Sequence, residues 1–374
     1  MILGVSAEQE ELRASVRRFL ADRAPMSRVR ALMDGGETDW AVWEQAGTQL
    51  GLQGLAIPES YGGAGFSFAE QAVVLEEFGA ALYGGPYLAS AVLAATALLA
   101  SPDEGARRGL LPDIASGQTV ATLAFTEDGG SWDPAAIRLS AVKDGPGVDG
   151  AWRLDGHKSF VLDGATAGLI LVVASTDAGL SLFAVEGDVA GLGRAALPAL
   201  DQTRQLARLE FDGVTGRLIG SPGDGAAALD RALDVAAVAL AAEQLGGAQR
   251  ALDMAVEYAK VRRQFDRPIG SFQAIKHRCA DLLLEVESLR SAVGYAAAAV
   301  AEDSAEIPVL ASLVKAYASE TYFHVAAENI QIHGGIGFTW EHDAHLYFKR
   351  AKASELFLGD GAYHLERLAN RIGL

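Results

Sequence analysis

The chain has 374 residues, too many for one hydrophobic core, so two or three structural units are expected. Half of the residues are hydrophobic and 21% are charged, as in a soluble globular protein with large helical interfaces. The net charge of -17 argues against a nucleic-acid backbone as partner, because gripping phosphates takes clustered Lys and Arg, yet it leaves room for a small polyanion held by a few basic groups. The lone cysteine, Cys279, excludes an internal disulfide framework and is expected as a free, buried thiol. The opening MILGVSAEQEELRASVRRFLAD has no basic lead and soon turns charged, so it does not read as a signal peptide, and a cytoplasmic location is expected. Ser6 reads as a helix N-cap, with Glu8 and Glu10 near the positive helix end and Arg17 and Arg18 further along. Apolar residues then recur at helical spacing to about Ser116, as in EQAVVLEEFGAAL. The uncharged run Leu82–Ala100 approaches the length of a membrane span. Gly84, Gly85 and Pro86 break it and alanine dominates the rest, so a buried helix is expected and no membrane partner.

From Gln118 to about Ile219 short β-type runs take over: TVATLAFT, WRLDGHKSFVL, GLILVVAST, LSLFAVEG and LARLEFDGV. Gly and Asp punctuate them, as in an antiparallel sheet domain. From Asp224 onward long helical patterns return, several of them apolar around their circumference, which points to helices buried on all sides and to subunit association. Gly246 and Gly247 would let two helices approach closely. The expectation is an α+β chain: an all-α domain over 1–117, an antiparallel β-barrel or sandwich over 118–222, and a helical bundle over 223–374.

Several segments resemble one family. LGLQGLAIPESYGGAGFSFAEQAVVLEEFG is similar to the PE-x-YGG-x-G segment of acyl-CoA dehydrogenases, and LAFTEDGGSWDP to their TEP-x-AGSD loop. GHKSFVLDG stands where they have G-x-K-x-WITNG. YAKVRRQFDRPIGSFQAIKHRCADL resembles YA-x-x-R-x-QFG-x-PI-x-x-FQAIQH-x-LADM, and QIHGGIGFTWEHDAHLYFKRAK resembles Q-x-x-GG-x-GY-x-x-E-x-P-x-x-R-x-x-R-D-x-R. The likeness runs in order along nearly the whole chain. It implies an α–β–α subunit ending in a four-helix bundle, assembled as a dimer or a dimer of dimers, with FAD at the dimer interface.

Each cofactor element also has its own chemistry. Thr126 ends a predicted strand and opens a Gly-rich loop, where a hydroxyl and exposed N–H groups could donate to flavin oxygens and Ser131 to the pyrophosphate. The loop is one residue shorter than the family's, and Trp132 is placed to fill the gap. Phe160 can stack on the flavin. The resemblance implies that Arg262 and Gln264 reach the pyrophosphate of a neighbouring subunit's FAD, a task that suits the permanent charge and forked donors of arginine. Arg263 is expected to face solvent. Phe265, Phe272, Gln273, Gln331, Gly334 and Gly335 match the other cross-subunit contacts, the glycines allowing close approach of the backbone. His333 is expected to be packed rather than catalytic, and no metal is expected, because no ligand cluster surrounds it.

Three positions depart from the family pattern. The WIT triplet is Phe160, Val161 and Leu162 here, so a hydroxyl that hydrogen-bonds the flavin is missing at Leu162. The family removes an α-proton with a carboxylate while the β-hydrogen leaves as hydride, and most members carry that glutamate before a Gly-Thr pair. Counting ungapped from GFTWE, Leu358 falls at that place; counting back from HLER, Asp360 does. Asp360 is the candidate base, its alternative a turn-forming Asp in GDG. The other helix position used in the family corresponds to Ala236, an arginine beside the base to Ala237, and Glu243 lies two helical turns too far. Three readings stay open: an acyl-CoA dehydrogenase for a bulky or atypical acyl group, passing electrons to an electron-transfer flavoprotein; an incomplete subunit of a heterotetramer with a sister chain; and a flavoenzyme resembling nitroalkane oxidases.

Overall fold

The structure, a computed structural model, describes residues 6–35, 38–144 and 151–374. Residues 1–5, part of the stretch that bears on a signal peptide, lie outside the described residues. Six helices come first: α1 (Ala7–Arg23), α2 (Met26–Gly35), α3 (Trp40–Leu50), α4 (Phe68–Ala80), α5 (Ala95–Ala100) and α6 (Glu104–Ala115). Seven strands follow: β1 (Ala121–Ala124), β2 (Ser140–Lys143), β3 (Ala151–Leu162), β4 (Leu169–Thr176), β5 (Gly179–Glu186), β6 (Leu192–Leu197) and β7 (Leu206–Ile219). Then come α7 (Gly225–Val261), a short hairpin of β8 (Arg263–Gln264) and β9 (Arg267–Pro268), and α8 (Gln273–Ala301), α9 (Ile307–His333), α10 (Ala344–Leu356) and α11 (Gly361–Ile372).

Ser6 caps α1 as expected, in a capping box with Gln9. In the uncharged run the helix begins only after Gly84-Gly85-Pro86, as a buried π-helical stretch, Leu88–Ala94, that continues into α5. Among the described residues no helix is long and apolar enough to cross a membrane.

The chain divides into two compact units. One comprises residues 35–67 and 84–236, and its core is the sheet. Strands β3 and β7 are antiparallel, β7 pairs antiparallel with β5 and β6, and β5 pairs antiparallel with β4. β2 lies antiparallel to β3 and touches β4 at Ser140 and Ser175, so β4, β2, β3, β7 and β5 close a ring. The sheet is not wholly antiparallel, which corrects the sequence expectation. β1 runs parallel to β4 from Ala121↔Leu169 to Ala124↔Val172, and β2 meets β4 in parallel. Two further strands lie between β1 and β4 in the chain, which is ample length for a crossover that returns in the same direction. β2 and β6 were not legible, being short and only partly buried.

The other unit comprises residues 1–34, 68–83 and 237–374. Helix α9 is central, packing on α8, α10 and α11, while α4 lies on α8 and on α1. The glycines of α7 do what their sequence placement implies. A Cβ on Gly246 would overlap the Glu76 carbonyl oxygen of α4, one on Gly247 the Tyr322 ring of α9, and one on Gly79 of α4 the Glu243 carbonyl of α7. Arg350 of α10 and Glu243 of α7 are both buried and pair at 2.6 Å, which occupies the carboxylate of Glu243. Cys279 is half-buried rather than buried, because its turn of α8 lies at the edge of the Ala255–Ala259–Ile332 cluster; burial still pushes its thiol pKa up.

Candidate functional site

In the sheet unit, Thr126 follows β1 and is tied to β3 in both directions. Its hydroxyl donates to the Ser159 carbonyl at 2.6 Å, and the Ser159 N–H donates to the Thr126 carbonyl at 2.9 Å. The hydroxyl proton is thus committed, and the oxygen can only accept from a ligand. Phe160 follows at φ 58°, a left-handed conformation at an irregularity in the β3–β7 register. A Cβ on Gly130 would stand 3.8 Å from Phe160 Cε2, so the ring lies beside the Gly-rich loop. Ser131 is exposed and accepts the Asp133 N–H at 3.2 Å. Trp132 packs on Phe125 with ring centroids 5.9 Å apart. Leu162 is buried, and its carbonyl accepts the Thr122 hydroxyl at 2.6 Å, so no side-chain donor takes the place of the missing threonine at that position.

Two residues that the sequence reasoning passed over brace this loop. Lys158 is fully buried on β3, and its Nζ donates to the Phe125 carbonyl and to Glu127 Oε1, each at 3.0 Å. Burial pushes its pKa down to about 8 against the pull of Glu127. Burial also pushes the Glu127 carboxyl up, but the N–H groups of Leu139 and Arg138 and the ammonium of Lys158 outweigh it and hold it below the ordinary range. The visible signal was a lysine inside the apolar run GHKSFVL. A cavity of about 410 Å³ opens beside the loop, lined among others by Phe125, Ser131, Ile137 and His157.

In the helical unit, the structure brings eight predicted residues to one end of α7, α8 and α9. The Ala255–Ala259–Ile332 cluster, with Tyr258, Ile269 and Ile275 packed on it, joins the end of α7, the β8–β9 hairpin, the start of α8 and the end of α9. The hairpin turns at Phe265 and Asp266, with φ 51° and 62°, the signature of a type I′ turn. Phe265 stands at its tip, 84% exposed, 6.1 Å from the ring of Phe272. Arg267 covers the Phe272 ring at 4.0 Å. Arg263, expected to face solvent, is exposed and turns its guanidinium back onto the Asp266 carbonyl.

Arg262, Gln264, Gln273 and Gln331 are exposed, and their side chains make no hydrogen bond or ion pair with any described residue. A Cβ on Gly334 or Gly335 would meet nothing within 4 Å, so packing within the chain does not demand glycine at 335. Open backbone and donors that meet no described residue fit the chemistry of a diphosphate. His333 is buried, stacks on Tyr258 at 4.3 Å and donates from Nδ1 to the Asn329 carbonyl at 2.8 Å. Burial lowers its pKa, which suits a neutral, packed ring.

The third predicted element is the loop joining α10 to α11. Asp360 is exposed and is the N-cap of α11, its Oδ1 accepting the Tyr363 N–H at 2.8 Å. Its other carboxylate oxygen makes no bond with a described residue. Leu358 is buried with φ 62°. Ala236 and Ala237 are buried methyl groups, so no carboxylate or guanidinium stands at either position.

Three family models match the chain. The acyl-CoA dehydrogenase N-terminal domain matches residues 6–118, the middle domain 122–214 and the C-terminal domain 223–373. The acyl-CoA dehydrogenase IpdE2 of Mycobacterium tuberculosis is 36% identical over 367 residues, 98% of this chain and 97% of its own. A chain of the ChsE4-ChsE5 complex from Mycobacterium tuberculosis superposes with a TM-score of 0.90 at 31% identity, over 100% of this chain and 99% of its own. Butyryl-CoA dehydrogenase from Megasphaera elsdenii does so with a TM-score of 0.93 at 25% identity, over 100% of both chains. Matches in all three regions and full-length identity above 30% lead to one conclusion: the chain belongs to the acyl-CoA dehydrogenase family of oxidoreductases.

Proposed function

We propose that this chain is an FAD-dependent acyl-CoA dehydrogenase that introduces an α,β double bond into a bulky or branched acyl thioester and passes the electrons to an electron-transfer flavoprotein. The observation that carries this reading is the exposed set of Arg262, Gln264, Gln273 and Gln331 beside Gly334 and Gly335, whose side chains find no partner among the described residues. These residues, with Phe265 and Phe272, would hold the diphosphate end of a cofactor bound mainly by a neighbouring subunit. Thr126, Ser131 and Phe160 would hold the flavin end of the chain's own. When bound, FAD supplies the hydride acceptor.

Asp360 would take the α-proton on the carboxylate oxygen that does not cap α11. An aspartate reaches one methylene less far than glutamate, which suits an acyl group whose branching keeps its Cα near the loop. The test is a visible spectrum of the purified protein, then anaerobic titration with butyryl-CoA, octanoyl-CoA, isobutyryl-CoA and a steroid side-chain thioester. A yellow protein bleached by at least one ester is expected. Asp360→Asn keeps a good N-cap and removes the proton acceptor. It should retain FAD and fold, and lose at least 100-fold in flavin reduction rate, a loss in the range usual for a missing general base; an unchanged rate ends the assignment.

A second reading rests on Leu358. It is buried and left-handed in the ungapped register of the usual glutamate, which favours a chain that completes a site with a sister subunit. The similarity to a chain of the ChsE4-ChsE5 complex supports it. A chain that is colourless alone and yellow and active only with a co-expressed sister would select this reading.

A further inference from the structure

The loop between α10 and α11 is folded against the preference of its own residues. Leu358 and Gly359 have φ 62° and 103°. A left-handed conformation is unfavourable for a leucine, so something outside the loop must impose it. Two buried side chains do. Lys315 of α9, 0% exposed, donates from Nζ to the Gly359 carbonyl at 2.9 Å, the Glu355 carbonyl at 3.2 Å and the Ser319 hydroxyl oxygen at 2.9 Å. His364 of α11, 1% exposed, donates from Nε2 to the Leu358 carbonyl at 3.0 Å. A carbonyl only accepts, so Nε2 carries the proton; Nδ1 is a bare acceptor with no partner among the described residues. Burial, with Lys315 nearby, pushes this ring down to about 3, and it stays neutral.

Helix packing alone does not call for a lysine here. A buried ammonium carries a desolvation cost that a methionine of similar shape would avoid. What the lysine adds is a nitrogen in contact with two carbonyls of one loop and one neighbouring hydroxyl. The far side is closed as well: a Cβ on Gly359 would overlap the Tyr363 ring, and the Tyr363 N–H is the one that Asp360 caps. The carbonyls of residues 355, 358 and 359 and the carboxylate of Asp360 are thereby fixed as one piece.

Resting on the reading that this loop carries the proton acceptor, we propose that Lys315 and His364 are positioning residues that lock Leu358 and Gly359 in the left-handed conformation and so set the direction in which Asp360 meets the substrate. The test is hydrogen–deuterium exchange of the flavin-loaded protein, followed on the peptide spanning 356–363, with flavin reduction measured in parallel using whichever thioester of the panel above bleaches the wild type. Lys315→Met should speed exchange in that peptide at least ten-fold and leave FAD content unchanged. It should lower the reduction rate at saturating thioester at least ten-fold, with little change in the half-saturating concentration. His364→Leu should act likewise, while His364→Gln, which retains a donor for the Leu358 carbonyl, should stay close to wild type. Should Lys315→Met not fold, the two His364 variants give the same reading. Unchanged exchange in Lys315→Met and His364→Leu overturns the lock; faster exchange with an unchanged reduction rate overturns its catalytic purpose. The Asp360→Asn result is separate: if that variant reduces normally the base lies elsewhere, and the exchange data still decide whether the lock exists.

Discussion

Lys158 and Lys315 share one chemistry. Each is fully buried, each donates to at least one carbonyl of a loop that bears predicted site residues, and each is pushed down by burial, to about 8 and about 7. For Lys315 the sign of the pH dependence follows directly. Above about 7 the folded chain has released a proton that the unfolded chain keeps until the ordinary lysine value of 10.5. Stability therefore climbs with pH in that window, by up to about 1.4 kcal/mol per pH unit for one such group. Urea midpoints measured from pH 7 to 9 should rise less steeply in Lys315→Met than in wild type; parallel curves would contradict the depressed value. Neither lysine was legible as a loop brace in the sequence. A lysine in an apolar run reads equally well as a surface residue, and only three-dimensional packing shows where its ammonium ends.

Among the elements, helix α7 shows how much a glycine pair can carry. Gly246 and Gly247 were legible as a point of close approach, yet their partners, α4 at Glu76 and α9 at Tyr322, lie far away in the chain. Gly246→Ala should lose about 1–3 kcal/mol, the scale of overpacking a tight core, since its methyl would meet backbone that cannot swing aside. Gly294, exposed in α8 with nothing within 4 Å of its would-be Cβ, is the control. Gly294→Ala should gain about 0.5–1 kcal/mol from helix propensity alone. Thermal unfolding of the two variants decides the matter; a neutral Gly246→Ala would mean that the helices have slack. The sheet was less transparent. Its long strands announced themselves through apolar runs, but β1 and β4 pair in parallel, a choice made by the connection between them and not by either strand's residues.

For the whole molecule, the proposed reading makes one chain an incomplete unit, because the exposed set around Arg262 would hold a neighbour's cofactor. If Arg262 serves a neighbour's cofactor, Arg262→Ala and Phe160→Asp damage different halves of each site. Each homomer should hold little FAD. Refolding or co-expressing the two variants together should restore about one quarter of the sites, measured by absorbance at the flavin band, because random pairing makes about half of the dimers mixed and one site in each mixed dimer has both halves intact. No recovery on mixing, with mixed oligomers demonstrated, would place both residues on the same cofactor.

The sequence alone determined the family, the helix–sheet–helix texture and the residues expected to meet the cofactor, because those rest on local signals: periodicity, turn residues and motifs a few residues long. Asp360 was also visible there, both as a carboxylate of interest and as a residue typical of turns. Tertiary structure alone decided that it caps α11, that Leu358 is held left-handed, and that Lys315 and His364 hold it. The physical reason is range. A carbonyl's partner can sit on a helix more than 40 residues away, as Lys315 does from Gly359, and no local pattern records which buried donor will reach it.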